Sequence, residues 1–292
     1  MALALNPQAA GRSDQNALFL ATACDLAYFP EDQGKAEFAA QLGLTAKLIS
    51  VDNTQCYVCD NDRVIVLAFR GSEVPRFRES QFDRRIQGLA AHQREEFSGA
   101  ARWQNRDRFC RSRGGARFHR GFMEALDEIW EPMFQALDAV VAKKDRPVFV
   151  TGHSLGGALA LLAAWRLQRQ MISIHNVYTF GAPMVGNEAA ANAYEKEFPN
   201  RIYRYVDFGD MVPQLPSVSA FSNEYWHCLT EVVVGATAHA GESIKALASG
   251  SPEASMSQAV MDGVWTKATS GIQKHLMGNY ITQINGLSGK SV

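Results

Sequence analysis

The chain has 292 residues, 47% of them hydrophobic, a formal net charge of −1 and a pI of about 6.7. That length and apolar content suit a single α/β domain with a sizeable core. The balanced charge excludes a global attraction to nucleic acid or anionic membrane, although residues 73–120 carry 12 Arg against 6 acidic residues.

The first residues, Met-Ala-Leu-Ala-Leu-Asn-Pro-Gln, have neither the basic start nor the apolar length of a signal peptide. The longest apolar run, Ala158 to Trp165, is far below the roughly 18 residues of a membrane span. No transmembrane segment is therefore expected, and the expected location is the cytoplasm, with signal-independent export as the alternative. Five scattered cysteines, Cys24, Cys56, Cys59, Cys110 and Cys228, form no disulfide framework and fit a reducing compartment. Cys56 and Cys59 have C-x-x-C spacing, but they fall in a strand-like run. Residues three apart on a strand point to opposite faces, so they read as ordinary strand cysteines and not as a metal or redox pair.

In chain order, helices are expected at 14–29 and 34–42, then strands at 46–51, 54–59 and 63–69. The unbroken apolar run in the last suits a strand buried on both faces. Asp60-Asn61-Asp62 makes the turn before it. Residues 73–117 are Arg-rich and irregular. A helix follows at 121–143, where Phe122, Leu126, Ile129, Met133, Leu137 and Val140 recur at helical spacing, with Pro132 expected to kink it. Strand 147–152 and helix 154–170 come next, then strand 174–180, a sharp Gly181-Ala182-Pro183 turn, helix 187–198 and strand 202–207. Strands near 225–229 and 231–234 read as a hairpin-like return, 249–258 as loop, and 270–283 as a final helix. Strands alternating with helices give a mostly parallel central sheet covered on both faces, in one domain spanning 1–292.

The chemistry concentrates at Thr151-Gly152-His153-Ser154-Leu155-Gly156-Gly157, where a strand meets a small-residue helix. This is G-x-S-x-G in its strand–turn–helix context, which presents a serine hydroxyl at the top of a sheet. Glycines at 152 and 156 remove Cβ atoms that would collide in the tight turn. A serine is a poor nucleophile until an oriented base takes its proton. Of the histidines that follow Ser154, His175 lies inside a strand and His227 in a β-like run, where packing or hydrogen bonding suits it better. His239 lies in a small-residue loop and is the rival candidate. His275, which opens or lies within the last helix, is preferred. For the acid, Asp210 is preferred in the loop after strand 202–207, where α/β sites assemble. Asp207 reads as an acceptor that stabilises that loop, and Asp262 lies too close to the histidine in sequence. The oxyanion donors expected are the N–H of Leu155 and, from the loop Phe69-Arg70-Gly71-Ser72, Ser72.

Five blocks occur in one order: Leu67-Ala-Phe-Arg-Gly-Ser72, His119-Arg-Gly-Phe122, Thr151-Gly-His-Ser-Leu-Gly-Gly157, Thr179-Phe-Gly-Ala-Pro-Met-Val-Gly-Asn187 and Asp210-Met-Val-Pro-Gln-Leu-Pro216. Together they resemble the class 3 lipases, the fungal-lipase-like α/β-hydrolases, and His275 with Tyr280 resembles that family's closing histidine block. The resemblance covers most of residues 17–283. It implies an α/β-hydrolase fold, with Ser154 as nucleophile, Asp210 as orienter, His275 as base, and Ser72 and Leu155 as oxyanion-hole donors. Residues 73–117 lack the Asp-Trp often found after the oxyanion block, and 242–270 match nothing in the family pattern. Family members carry a lid at 73–117. If 80–98 is helical, Phe82, Ile86, Leu89 and Phe97 share one face, with Arg84, Arg85, Arg94 and Glu95 off it. Such a segment could shield an acyl groove and contact a lipid surface.

The expected function is hydrolysis of lipid carboxylic esters, acylglycerols first, through an acyl-enzyme, without metal or cofactor. A phospholipase A1 or galactolipase is the alternative enzyme, and a non-catalytic lipid-binding protein the alternative of another class. No nucleic-acid partner is expected.

Overall fold

The computed structural model describes residues 2–9, 11–72, 110–111, 115–210, 212–214, 225–235 and 274–288. The expected lid, apart from its last few residues, and His239 and Asp262 lie outside them. Helices α1 (Asp14–Leu26) and α2 (Glu31–Leu42) precede strands β1 (Thr45–Val51), β2 (Thr54–Asp60) and β3 (Ile65–Phe69). A two-stranded ribbon of β4 (Cys110–Arg111) and β5 (Arg117–Phe118) leads into α3 (Arg120–Val141). Then come β6 (Val148–His153), α4 (Leu155–Arg169), β7 (Ile174–Phe180), α5 (Glu188–Glu197), β8 (Ile202–Asp207), β9 (Thr230–Val234) and α6 (Met277–Ser288).

Local chemistry sets several boundaries. Ser13 caps α1 by accepting from the Asn16 N–H, and Asn187 caps α5 by accepting from the Ala190 N–H. Gly43 ends α2 in the left-handed conformation, φ 62°. Asn61 closes the β2–β3 turn, its Oδ1 accepting from the Arg63 and Val64 N–H groups at 2.9 and 3.1 Å. Helix α3 continues through Pro132 to Val141 as one element.

The seven-stranded sheet has the order β1-β2-β3-β6-β7-β8-β9. The first three strands are antiparallel neighbours, and every pairing from β3 to β9 is parallel. Parallel strands of this kind must be covered on both faces. One buried cluster joins Val150 and Val177 to Leu126 and Met133 of α3, Leu159 and Leu162 of α4 and Tyr194 of α5. The other joins Phe149 and Tyr178 to Phe19 and Leu20 of α1, Phe38 of α2 and Tyr280 of α6. Cys56 belongs to the first cluster and Cys59 to the second, so the two thiols lie on opposite faces of the sheet.

Two expectations are corrected. The hairpin-like return at 225–229 and 231–234 is instead one strand, β9, which pairs in parallel with β8. Leu229 takes φ 57°, which ends extended backbone there, and Trp226 makes only an isolated bridge to Gly186. The final helix, expected as one element, is interrupted at Leu276: Lys274 and His275 are helical, and α6 runs from Met277 to Ser288.

The parallel order brings the C-terminal ends of four strands to one edge. Phe69 pairs with Gly152, His153 with Phe180, and Phe180 with Tyr205. The segments that leave this edge carry Gly71 and Ser72, Ser154, Gly181, and Asp210.

Two histidines tie this scaffold together. His119 caps α3, its Nδ1 accepting from the Phe122 N–H at 3.4 Å. His227 Nε2 meets the Pro213 carbonyl at 2.7 Å. Burial pushes His119 down to about 4, with Glu124 opposing, and burial plus the nearby Arg204 charge pushes His227 down to about 4. In the unfolded chain both titrate near 6.5. Between those values the unfolded state binds more protons, so stability is full above about pH 6.5 and falls as the pH drops toward about 4. The urea midpoint should therefore decrease from pH 7.5 to pH 5. His227→Gln, which keeps an N–H for the Pro213 carbonyl, should flatten part of that decrease; an identical slope in the variant would contradict the neutral burial of His227. Leu126, fully buried between α3 and the sheet, should lose about 2–5 kcal/mol of stability on substitution by alanine, read from the same urea titration at pH 7.5.

Candidate active site

Ser154 sits between β6 and α4 with φ 56° and ψ −128°, a conformation costly for a residue with a side chain. Close packing on all sides holds it. Its N–H donates to the Phe180 carbonyl at 2.9 Å, and its own carbonyl accepts from the Gly157 N–H at 2.9 Å. A Cβ at Gly152 would stand 2.1 Å from the Gly156 carbonyl oxygen, and one at Gly156 would stand 2.4 Å from the Phe69 carbonyl oxygen. The glycines expected to relieve the turn do so, and they let α4 start against the ends of β3 and β6. The Ser154 side chain makes no capping bond to α4. Leu155 opens that helix, where the first N–H groups lack intrahelical acceptors and the helix dipole is positive.

Gly71 is buried beside the elbow; a Cβ there would lie 3.1 Å from the Ser154 Cβ. Ser72 follows it and is exposed. From the next strand end, Gly181 adopts φ 60°, and its N–H donates to the Tyr205 carbonyl at 3.0 Å. A Cβ at Gly181 would stand 2.7 Å from Asp210 Oδ2 and 3.0 Å from His275 Nδ1. This glycine leaves the space in which the acid and the imidazole meet.

His275 Nδ1 and Asp210 Oδ2 are 2.7 Å apart, both groups nearly removed from solvent. Asp210 is further fixed by the Tyr280 hydroxyl, which donates to Oδ2 at 2.6 Å, and by the Val212 N–H, which donates to Oδ1 at 2.9 Å. Tyr280 in turn accepts from the Asp207 N–H at 3.0 Å. Burial and the Asp210 charge push the Tyr280 phenol well above its ordinary range, so it remains a donor. Three donors thus converge on the buried Asp210 side chain.

Asp207 behaves as the sequence suggests. It accepts from the Gly209 N–H at 2.9 Å and from the Asn279 amide at 3.0 Å, and so ties the β8 loop to α6. His227 is occupied by the Pro213 carbonyl, and His175 lies on β7 with its ring 4.8 Å from that of Phe149. Sequence reasoning missed Tyr28 and the ring of His153. The Tyr28 hydroxyl lies 2.8 Å from His153 Nδ1, and His153 Nε2 lies 2.6 Å from the His275 carbonyl oxygen. No spacing links positions separated by more than 120 residues; the one signal was the identity of the residue inside the elbow. Among the described residues no cluster of His, Cys, Asp and Glu could hold a metal ion.

The sequence profile of the class 3 lipases, "Lipase (class 3)", matches residues 66–220. The chain is 38% identical over 124 residues to a secreted mono- and diacylglycerol lipase of Fusarium solani, a match covering 40% of this chain and 36% of the relative. It is 36% identical over 116 residues to a secreted mono- and diacylglycerol lipase of Malassezia restricta, covering 38% of each. The match thus spans little more than a third of the length of these relatives. A lipase from Rhizopus microsporus var. chinensis superimposes with a TM-score of 0.53 at 22% identity, over 80% of this chain and 82% of that one. The α/β-hydrolase fold expected from the sequence is the fold observed.

The relatives correct one expectation. They are named as secreted, which conflicts with a cytoplasmic location. That expectation leaned in part on unpaired cysteines. Cys24, Cys56, Cys59 and Cys228 are all buried and free, so packing accounts for them and they carry no information on redox compartment. No helix among the described residues is long and apolar enough to cross a membrane.

The profile covers more than half of the chain and contains the Gly71–Ser72 loop, the elbow and Asp210, on a sheet shared with solved lipases; the chain belongs to the class 3 lipase family.

Proposed function

We propose that this protein hydrolyses carboxylic esters of lipids, acylglycerols foremost, with Ser154 as nucleophile, His275 as base and Asp210 as its orienter. The observation that carries the proposal is the 2.7 Å contact between His275 Nδ1 and a fully buried Asp210 carboxylate, beside a serine held in a strained elbow. Two segments far apart in sequence meet there, and a scaffold role would not need the strain.

In this scheme Asp210 holds the His275 proton on Nδ1 and leaves Nε2 basic. Nε2 takes the Ser154 proton as Oγ attacks the ester carbonyl. The oxyanion is met by the Leu155 N–H at the α4 terminus and by Ser72. His275 then protonates the departing alcohol, leaving an acyl-serine. Water, deprotonated by Nε2, attacks that ester and releases the fatty acid. No step calls for a metal or cofactor. The substrate class rests on the relatives, which are named as mono- and diacylglycerol lipases. The two core clusters lie on opposite faces of one continuous sheet, which supports a single domain over 1–292. Ser72, which directly precedes residues 73–117 in the chain, follows the end of β3 next to Gly71, which packs against the elbow, and this supports the assignment of 73–117 as a lid over the acyl site that meets the lipid surface.

Ser154→Ala should lower turnover by about 10⁶ and abolish labelling by a fluorophosphonate probe while the circular dichroism spectrum is kept. Activity within tenfold of wild type would remove Ser154 from the scheme. Asp210→Asn should cost roughly 10⁴ in kcat. Ser72→Ala should cost up to about 10²–10³ in kcat if its hydroxyl meets the oxyanion; a raised KM with unchanged kcat would place Ser72 in substrate binding instead. Fatty-acid release should be faster from a diacylglycerol emulsion than from phosphatidylcholine vesicles, and the reverse order would reassign the substrate class.

A further inference from the structure

His153 is the variable residue of the elbow and belongs to neither the proposed triad nor the oxyanion donors. It is 4% exposed, it ends β6, and both ring nitrogens are engaged. We infer that His153 is a positioning residue that, through Tyr28, ties the main chain of His275 to the oxyanion-side loop at Gly71. The inference rests on the ester-hydrolase reading above.

The hydrogen-bond directions follow from the partners. The His275 carbonyl can only accept, so His153 Nε2 carries the proton across the 2.6 Å contact. In a neutral imidazole Nδ1 is then an acceptor, and the Tyr28 O–H donates to it at 2.8 Å. The Tyr28 oxygen packs directly against Gly71. The result is one ordered series: Gly71 against the Tyr28 oxygen, Tyr28 O–H to His153, His153 N–H to the His275 carbonyl. Space enforces the link, because a Cβ at Gly71 would fall 2.3 Å from the Tyr28 oxygen and 2.7 Å from the His153 carbonyl oxygen.

Both ends of this chain are proposed working parts of the site. His275 precedes the break at Leu276 that separates it from α6, and the carbonyls around it are bound by side chains and by α6. The carbonyl of Lys274 is bound by the Asn279 side chain, that of Leu276 by the Asn279 N–H, and that of His275 by His153. Asp210 grips the imidazole at Nδ1, and His153 grips the backbone that carries it. The two rings lie 4.6 Å apart between centroids. Burial, reinforced by His275, pushes His153 well below the usual histidine range. It therefore stays neutral while His275 carries the proton during catalysis, and it places no second cation beside it.

The test uses the full chain and steady-state hydrolysis of p-nitrophenyl butyrate by wild type, His153→Leu, His153→Gln, Tyr28→Phe and the Tyr28→Phe/His153→Leu double variant. Displacement of a base by an ångström costs on the order of 10²-fold in rate, so His153→Leu should lower kcat by about 10–100-fold with KM changed less than about threefold. His153→Gln offers an N–H and an acceptor at similar reach and should recover most of that loss. The double variant should lose less than the product of the two single losses, because both act through one chain. Unchanged kcat in a folded His153→Leu, a loss confined to KM, failure of glutamine to rescue, or fully multiplicative losses would each overturn the inference. Should His153→Leu fail to fold, Tyr28→Phe decides: it removes one oxygen, and a fall in kcat of threefold or more at unchanged KM and Tm supports the inference, while unchanged kcat overturns it. A wild type with neither turnover nor fluorophosphonate labelling would overturn the hydrolase reading, and this role with it. An active wild type with indifferent variants overturns the positioning role alone.

Discussion

The backbone at Ser154 is the constraint on which the rest of the site depends. Its φ of 56° is unfavourable for a residue with a Cβ, and it persists because the packing and hydrogen bonds around the β6–α4 junction hold it. The first turn of α4 lies against the ends of β3 and β6, so close that no side-chain carbon fits at Gly152 or Gly156. The Ser154 N–H is used by Phe180 on the neighbouring strand, and its carbonyl begins the helix. With both backbone groups committed, only the hydroxyl remains to project from the sheet edge. The parallel strands supply this rigidity, since β6 is flanked by β3 and β7 and buried along its whole length.

A second consequence of the parallel order is that each strand end delivers one component. Gly181, after β7, makes room for the meeting of Asp210, after β8, with His275, ahead of α6. Helix α6 contributes twice, because Tyr280 one turn beyond His275 donates to the same carboxylate oxygen and Asn279 binds Asp207. In the proposed scheme Asp210 is thus fixed before any substrate arrives, and a carboxylate that accepts three hydrogen bonds does not need to reorganise when a charge forms on the imidazole. The contrast between the two aspartates is one of environment: Asp207 is used by Gly209 and Asn279 to shape the loop, and Asp210 receives the imidazole.

Much of this was legible in the residues. The G-x-S-x-G turn, the apolar runs of β3 and β6 and the helical spacing of Phe122, Leu126, Ile129 and Met133 are local signals, and local sterics or periodicity decide them. The preference for Asp210 over Asp207 and for His275 over His227 also came from position relative to strand ends, and the structure brings the preferred pair into contact. The hairpin expected after residue 224 failed because the positive φ of Leu229 leaves no mark in composition, and a strand's partner is chosen by the sheet edge that is free, here β8. The cytoplasmic location, read chiefly from the absence of a signal-peptide pattern, conflicts with relatives named as secreted, and the unpaired thiols that accompanied it serve packing in any compartment.

By itself, then, the sequence determined the elements whose cause is local: the strand–serine–helix turn, the amphipathic helices and the doubly covered sheet implied by their alternation. Tertiary structure decided what depends on groups distant in the chain. Tyr28, His153 and His275 form one hydrogen-bonded series although Tyr28 and His153 stand 125 positions apart, and Tyr280 reaches Asp210 across 70. Burial, and with it the neutrality of His153 and the donor state of Tyr280, is likewise a property of the surrounding elements. A residue's type states which hydrogen bonds it can make; only the folded chain places the partner within 3 Å and removes the water that would compete for it.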